Sequence, residues 1–183
     1  MQNDVDRILL SRQTIADRVA ALGREIADDL DGLSGHPAEI VLVPILTGAI
    51  VFVADLIRHL PHKLRIGVMS VSSYPGKSIE SKGALIRGAL PHNLAGKHIL
   101  IVDDILDTGQ TLTLVRDIIG EQRPAEIRTC VLLRKDRDEA RRFSVDYVGF
   151  DIPNEFVVGY GLDHNDHYRN LPDIVTLRPE ALL

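Results

Sequence analysis

The sequence predicts an α/β fold, a central and mostly parallel sheet flanked by helices. Three observations carry that prediction. Short apolar runs suited to buried strands recur at 39–43, 97–102, 127–133 and 145–150. Segments with helical periodicity stand between them, and strands alternating with helices imply βαβ units. The 183 residues show no repeat, low-complexity tract or Gly/Ser linker, so they fit one domain spanning 1–183. In order along the chain, Ser11 is a natural N-cap, and Ile15, Val19, Leu22, Ile26 and Leu30 then form one apolar helix face that closes near Gly32. Glu39 to Val43 reads as a buried strand, Pro44 to Gly48 as the turn after it, and Gly48 to Leu60 as an apolar helix stopped by Pro61. Leu64, Ile66 and Val68 alternate as a strand does. Residues 72–83 are polar and punctuated by Gly and Pro, and a loop of that length inside a compact domain is often a lid. Lys97 to Val102 is a second buried strand with a helix from Thr111 to Ile119, and Ile127 to Leu133 and Val145 to Phe150 complete the sheet.

Composition narrows the function classes. There are 21 Lys+Arg against 26 Asp+Glu, a net charge of −5, which disfavours a surface built broadly for a nucleic-acid backbone. A hydrophobic share of 45% with 26% charged residues is globular usage and argues against disorder. The single Cys, Cys130, cannot form an internal disulfide, which suits a reducing, cytoplasmic setting. Its place among Val131, Leu132 and Leu133 makes it an inert buried thiol. The first seven residues carry charges where a signal peptide needs an apolar run. The apolar stretch from Ile40 to Ala54 is broken by Pro44, Thr47 and Gly48 and is shorter than the ~20 residues of a membrane span. His164 and His167 stand three apart, but read better as a solvated pair than as zinc ligands.

The chemistry is concentrated where the strand Ile99–Val102 runs into Asp103-Asp104-Ile105-Leu106-Asp107-Thr108-Gly109-Gln110-Thr111. Three carboxylates crowded at a strand end need a metal, a cation or ligand hydroxyls to compensate them. Thr108, Gly109 and Thr111 then supply hydroxyls and flexible backbone at a helix start, where unpaired N–H groups favour a phosphate. An isolated Asp-Thr-Gly-x-Thr is equally an Asp-rich turn with a capping Thr. The apolar strand and the acidic pair ahead of it favour the ligand site.

Val102 to Leu112 resembles the phosphoribosyl-pyrophosphate signature of type I phosphoribosyltransferases. Phe156-Val157-Val158-Gly159-Tyr160-Gly161-Leu162-Asp163, with Tyr168-Arg169-Asn170-Leu171-Pro172, resembles the C-terminal signature of the hypoxanthine (guanine) branch, and the likeness runs in order from about Ile8 to Leu177. The resemblance implies the fold of that family, with a small hood formed by the N-terminal segment and residues from about 150 to 183. It implies Mg²⁺-dependent transfer of ribose 5-phosphate from phosphoribosyl pyrophosphate to N9 of a 6-oxopurine. By similarity Asp103 and Asp104 would hold the ribose hydroxyls and Mg²⁺, and Asp107, Thr108, Gly109, Gln110 and Thr111 the 5-phosphate. Asp107 would also lie beside N7 of the base as the proton acceptor or donor. Leu46, Thr47 and Gly48 would form the pyrophosphate loop around a non-proline cis peptide, Leu46–Thr47. Relatives place Lys or Arg where this chain has Thr47, so its contacts there would be backbone and hydroxyl. Arg169 would pair with pyrophosphate, Ser73 and Tyr74 would begin the mobile lid, and Asp163 would serve a second Mg²⁺.

On the base, Lys135 would donate to O6, Phe156 would stack on the ring and the Val157 backbone would read the base edge. From the residues alone, Lys135 is also a solvated member of the basic run 134–137 and Phe156 a core aromatic. Asp163 is also a turn residue, and Arg169 a surface partner of Asp166 or Asp173. Lys can donate to a 6-oxo group but faces an amino group in adenine, which favours hypoxanthine, guanine or xanthine. The rival of another class is a nucleotide-sensing regulator on the same fold, and an acidic chain with Asp107 in place weakens it. The resemblance further implies a homodimer or homotetramer; the acidic composition and the short, broken apolar stretch argue against a nucleic acid or a membrane as partner.

Overall fold

The computed structural model describes residues 1–32, 39–72, 85–87 and 91–182. In chain order the elements are β1 (Val5–Leu10), α1 (Arg12–Asp31), β2 (Ile40–Leu46), α2 (Ile50–Leu56), β3 (Leu64–Ile66), β4 (Met69–Ser72) and β5 (Leu85–Arg87). They continue with β6 (His98–Leu106), α3 (Gln110–Gly120), β7 (Glu126–Lys135), α4 (Asp138–Arg142), β8 (Tyr147–Ile152) and β9 (Ile174–Leu177). The main sheet runs β5-β4-β2-β6-β7-β8, with β3 also beside β2. All its pairings are parallel except that of β4 with β5. A separate antiparallel pair joins β1 to β9.

The near-continuous apolar runs of β2, β6 and β7 follow from burial on both faces, as parallel sheets require. Leu42, Leu100, Val102, Cys130 and Leu132 point to the layer made by Ile15, Val19, Leu22 and Ile26 of α1 and Phe52 and Leu56 of α2. Val41, Val43, Ile99, Ile101 and Val131 point the other way, onto Leu112, Val115 and Ile119 of α3. α1 starts where its cap predicts: the Ser11 hydroxyl accepts from the Thr14 N–H at 3.2 Å. α2 tightens into a 3₁₀ turn, Ile57–His59, before Leu60 and Pro61.

Several expectations change. β2 does not end at Val43 but runs through Pro44 to Leu46. The Leu42 carbonyl accepts from Gly67 on the β3 side, so Pro44, two residues on, faces that same side. β3 has stopped pairing there and β4 has not begun, so the missing proline N–H interrupts no ladder. β6 likewise outruns Val102, because its pairing with β7 continues to Leu106↔Arg134 after its pairing with β2 stops at Val102↔Pro44. Val68 lies outside β3, since the chain breaks step at Gly67 to start β4. β7 and β8 run two residues further than expected, to Lys135 and Ile152. β1, β9, β5 and α4 were not anticipated. β1 carries register shifts between Val5 and Arg7 and between Ile8 and Leu10, which erase the period-2 signal a strand normally shows. The expected loop at 72–83, Ser73 and Tyr74 included, lies outside the described residues apart from Ser72 in β4. No described helix is long and apolar enough to cross a membrane.

Candidate active site

The carboxyl ends of β2, β6 and β7 open on one side of the sheet, the place where open α/β sheets bind ligands. At the end of β6, Asp103 and Asp104 stand where β2 has just stopped pairing. Asp103 is only 6% exposed. Its Oδ1 accepts from the Asp104 N–H at 3.0 Å, and Asp104 Oδ1 accepts from the Ile105 N–H at 2.9 Å. Burial pushes both carboxyls above the ordinary range, and for Asp103 the neighbouring Asp104 charge pushes further. Asp104 is held back by its hydrogen bonds and by the Arg169 guanidinium. Two hard-oxygen ligands so starved of positive charge fit a divalent cation. Among the described residues there is no group of three or more His, Cys, Asp or Glu side chains able to hold a metal. A cation held here would have to draw on these one or two carboxylates and complete its shell with ligand oxygens and water.

One loop presses onto the acidic pair and a second packs against the first. The end of β2 turns through a cis Leu46–Thr47 peptide into Gly48 and α2. A Cβ on Gly48 would stand 1.9 Å from Asp104 Oδ2, so only glycine allows this approach. Gly161, at φ +104°, crowds the other side: a Cβ there would stand 2.2 Å from the Gly48 carbonyl oxygen. Arg169 closes the group. Its Nη1 donates to the Gly161 carbonyl at 2.8 Å, and Nη2 pairs with Asp163 at 2.8 Å and Asp166 at 3.1 Å. Asp173 is not its partner; that carboxylate binds Arg12, from whose backbone N–H it accepts at 2.7 Å. The loop is also tied to α2, because the Tyr160 hydroxyl donates to Asp55 Oδ2 at 2.7 Å.

Beyond the acidic pair, Asp107, Thr108 and Gly109 lead into α3. Gly109 occupies the N-cap at φ +80° and has no side chain to satisfy the helix's first N–H groups. Thr108 Oγ1 lies 3.5 Å from the Gln110 nitrogen. With Thr111 in the first turn, this end of an 11-residue helix leaves donors and a positive dipole end for an anion. The Asp107 carboxylate accepts from Lys135 Nζ at 3.0 Å on Oδ2 and from Arg137 Nη1 on Oδ1. Partial burial pushes this carboxyl up, but the two cations outweigh it and hold it below the ordinary range. Lys135 is therefore not the solvated residue its basic run suggests: it is the last residue of β7 and lies over Asp107. Arg137 was missed, because the chain bends just after β7: the Arg137 N–H donates back to the Lys135 carbonyl, and that turn, which local pattern does not show, brings both cations onto Asp107.

Phe156 is 46% exposed, with the His164 ring edge-on at 5.4 Å between centroids. It is not the core aromatic its apolar neighbours suggest; Val157 and Val158 take the buried positions instead. His164 and His167 are joined by backbone hydrogen bonds in both directions, and Cys130 is buried, which raises its thiol pKa. The described geometry thus gathers Leu46, Thr47, Gly48, Asp103, Asp104 and Arg169 into one group, and Asp107, Thr108, Gly109, Gln110, Thr111 and Lys135 into an adjoining one.

Comparison with known proteins points the same way. Residues 8–165 match the model of the phosphoribosyl transferase domain. The chain is 41% identical over 180 residues to the hypoxanthine-guanine phosphoribosyltransferase of Mycobacterium avium, covering 97% of this chain and 88% of that one. The fold is similar to that of a hypoxanthine phosphoribosyltransferase from Staphylococcus aureus, with a TM-score of 0.90 and 36% identity over 100% of this chain and 97% of the other. It is also similar to that of the hypoxanthine phosphoribosyltransferase of Trypanosoma cruzi solved as a ternary substrate complex, with a TM-score of 0.88 and 40% identity over 99% and 100% of the two chains. That protein has also been solved with the product IMP.

Proposed function

The chain belongs to the phosphoribosyl transferase family, and on that premise we propose that it is a purine-salvage enzyme that converts phosphoribosyl pyrophosphate and hypoxanthine, and also guanine, to IMP or GMP and pyrophosphate. The observation that carries the reading is a carboxylate pair, Asp103 buried and Asp104 half-buried, and an uncapped helix start on one strand–turn–helix, with Lys135 beside Asp107. Such a site suits a ligand with a phosphate at one end and a hydroxylated, cation-bound ring next to it.

In this reading Asp107, Thr108, Gly109, Gln110 and Thr111 hold the 5-phosphate through backbone N–H groups and hydroxyls. Asp103 and Asp104 hold the ribose hydroxyls and would hold a Mg²⁺ ion, and Asp163 would serve a second Mg²⁺. Bound Mg²⁺ neutralises the pyrophosphate and makes it a better leaving group. Leu46, Thr47 and Gly48 receive the pyrophosphate with backbone and hydroxyl donors, and Arg169 adds a forked guanidinium. The purine stacks on Phe156, accepts from Lys135 at O6 and presents its edge to the Val157 backbone. As the bond from C1′ to pyrophosphate breaks and the bond from N9 to C1′ forms, the base sheds a proton from N7, and Asp107 accepts it. The acidic surroundings also favour the positive charge that develops on the ribose. Ser73 and Tyr74 begin a lid that excludes water from that ring. A hood made of the N-terminal segment and residues from about 150 covers the base, and the enzyme works in the cytoplasm as a homodimer or homotetramer.

The test is to incubate the purified protein with phosphoribosyl pyrophosphate, Mg²⁺ and, separately, hypoxanthine, guanine, xanthine and adenine, and to separate the nucleotides. The expected result is Mg²⁺-dependent IMP and GMP and no AMP. Binding of phosphoribosyl pyrophosphate without any nucleotide product would replace the enzyme reading with that of a sensor.

A further inference from the structure

Asp107 carries two cations, and the transfer reaction as proposed uses only one of them. Lys135 Nζ occupies Oδ2 and Arg137 Nη1 occupies Oδ1, so both carboxylate oxygens are taken before any base arrives. The two cations are not equivalent. Lys135 ends β7 on a long stem with no other carboxylate partner among the described residues. Arg137 is braced from behind: its Nε donates to Glu139 Oε2 at 3.1 Å, and its backbone N–H donates to the Lys135 carbonyl at 2.9 Å. The charged groups on Asp107 are thus Lys135 from β7 and Arg137 from the bend after it, with Glu139 of α4 behind Arg137; Asp103 and Asp104 lie on β6, which ends one residue before Asp107.

We propose that Arg137 is a positioning residue for the transfer: held by Glu139, it stays on Oδ1 of Asp107 while Lys135 leaves Oδ2 and turns to the purine. The inference rests on the roles given above to Asp107 and Lys135, and adds what makes their exchange possible. Seating O6 on Lys135 removes one of the two charges that orient the carboxylate. Without Arg137, Asp107 would be left with no fixed partner at the moment it must present Oδ2 to N7. With Arg137 in place, the carboxylate keeps one hydrogen-bonded oxygen and one free oxygen, and its rotation is fixed by a planar guanidinium that is itself fixed. Arg137 touches neither base nor ribose in this account; it acts through Asp107.

The test compares Arg137→Met, Arg137→Lys and Glu139→Gln with the parent enzyme and with Asp107→Asn, each checked by thermal melting. The expected result for Arg137→Met is a fall in kcat of about tenfold with KM for phosphoribosyl pyrophosphate unchanged. The acid limb of kcat/KM for hypoxanthine should move up by as much as about one pH unit, because a neighbouring cation no longer favours the carboxylate. Arg137→Lys should restore part of kcat, and Glu139→Gln should lose less than Arg137→Met. In the Asp107→Asn background, Arg137→Met should cost nothing further, since a residue that acts through another shows this non-additivity. An unchanged kcat and acid limb in Arg137→Met, or a full tenfold further loss in the Asp107→Asn background, would overturn the inference while leaving the role of Asp107 standing. Near-normal turnover by Asp107→Asn alone would instead remove the role of Asp107 and this inference with it.

Discussion

Gly48→Ala puts one methyl group at the most crowded point of the site. The new Cβ would stand 1.9 Å from Asp104 Oδ2 and 2.6 Å from its Cγ, so the carboxylate must retreat by about 1.5 Å to regain ordinary contact near 3.4 Å. Asp104 has no long stem to absorb that movement. It sits on a β6 segment fixed to β7, and its Oδ1 holds the Ile105 N–H at 2.9 Å. Retreat therefore means a new rotamer and loss of that hydrogen bond, or a shift of the 46–48 loop against Gly161, which is already at its closest approach. Either route costs about 1–3 kcal/mol, the usual range for overpacking or for a lost hydrogen bond. For a chain of this size that lowers the melting temperature by about 2–10 °C. The effect on catalysis should be larger, because misplacing a binding group by about 1 Å costs on the order of 100-fold in rate. Steady-state kinetics at saturating hypoxanthine should show kcat/KM for phosphoribosyl pyrophosphate down by about that factor, with KM for the base nearly unchanged. Activity within threefold of the parent enzyme would refute the argument, since it would mean that the carboxylate can stand elsewhere without consequence.

Lys135→Ala should raise KM for hypoxanthine by about 10–100-fold, the worth of a hydrogen bond from a charged donor, and leave binding of phosphoribosyl pyrophosphate intact; an unchanged KM would remove Lys135 from the base site. Asp173→Asn should destabilise the protein by about 1–2 kcal/mol, because it weakens the acceptor for the Arg12 backbone N–H. That N–H, with the Arg12 side chain adding to it, holds the Asp173 carboxyl below its ordinary value. A lowered folded-state pKa stabilises the fold above the unfolded pKa and loses that contribution as pH falls through the folded one. The melting-temperature gap between parent and variant should therefore be about 2–8 °C at pH 7 and should close as the pH falls through the ordinary carboxylate range and past the lowered folded-state pKa. A gap that stays constant with pH would assign the loss to packing rather than charge.

Much of this site lies in local sequence. An apolar run, an acidic pair and Thr-Gly at a helix start are contiguous, and their chemistry does not depend on distant neighbours. That β2, β6 and β7 are buried strands of a mostly parallel sheet is likewise readable from their near-continuous apolar runs, whereas their order is not. Where strands stop is a different matter, because it depends on which neighbour is present at each step. Pro44 ends a strand by local rules, yet here it sits between two partners, and Asp103 lies inside β6 because β7 outlasts β2. β1 was hidden by its own irregular register. Side-chain partnerships across the sheet were also out of reach from local pattern. Phe156 sits beside two valines and nevertheless faces outward, Lys135 belongs to a basic run and nevertheless pairs with Asp107, and the Tyr160–Asp55 bond joins residues 105 positions apart.

The central claim is that a phosphoribosyl site held by Asp103, Asp104 and the start of α3 works with Asp107 as the acceptor of the purine's proton. The most direct measurement is Asp107→Asn, with calorimetric binding of Mg²⁺ and phosphoribosyl pyrophosphate measured on the same preparation as IMP formation. The account predicts affinity within a few-fold of the parent and a turnover lower by about 100- to 10,000-fold, the span that general acid–base catalysis contributes. Turnover within a few-fold of the parent, with binding intact, would contradict it.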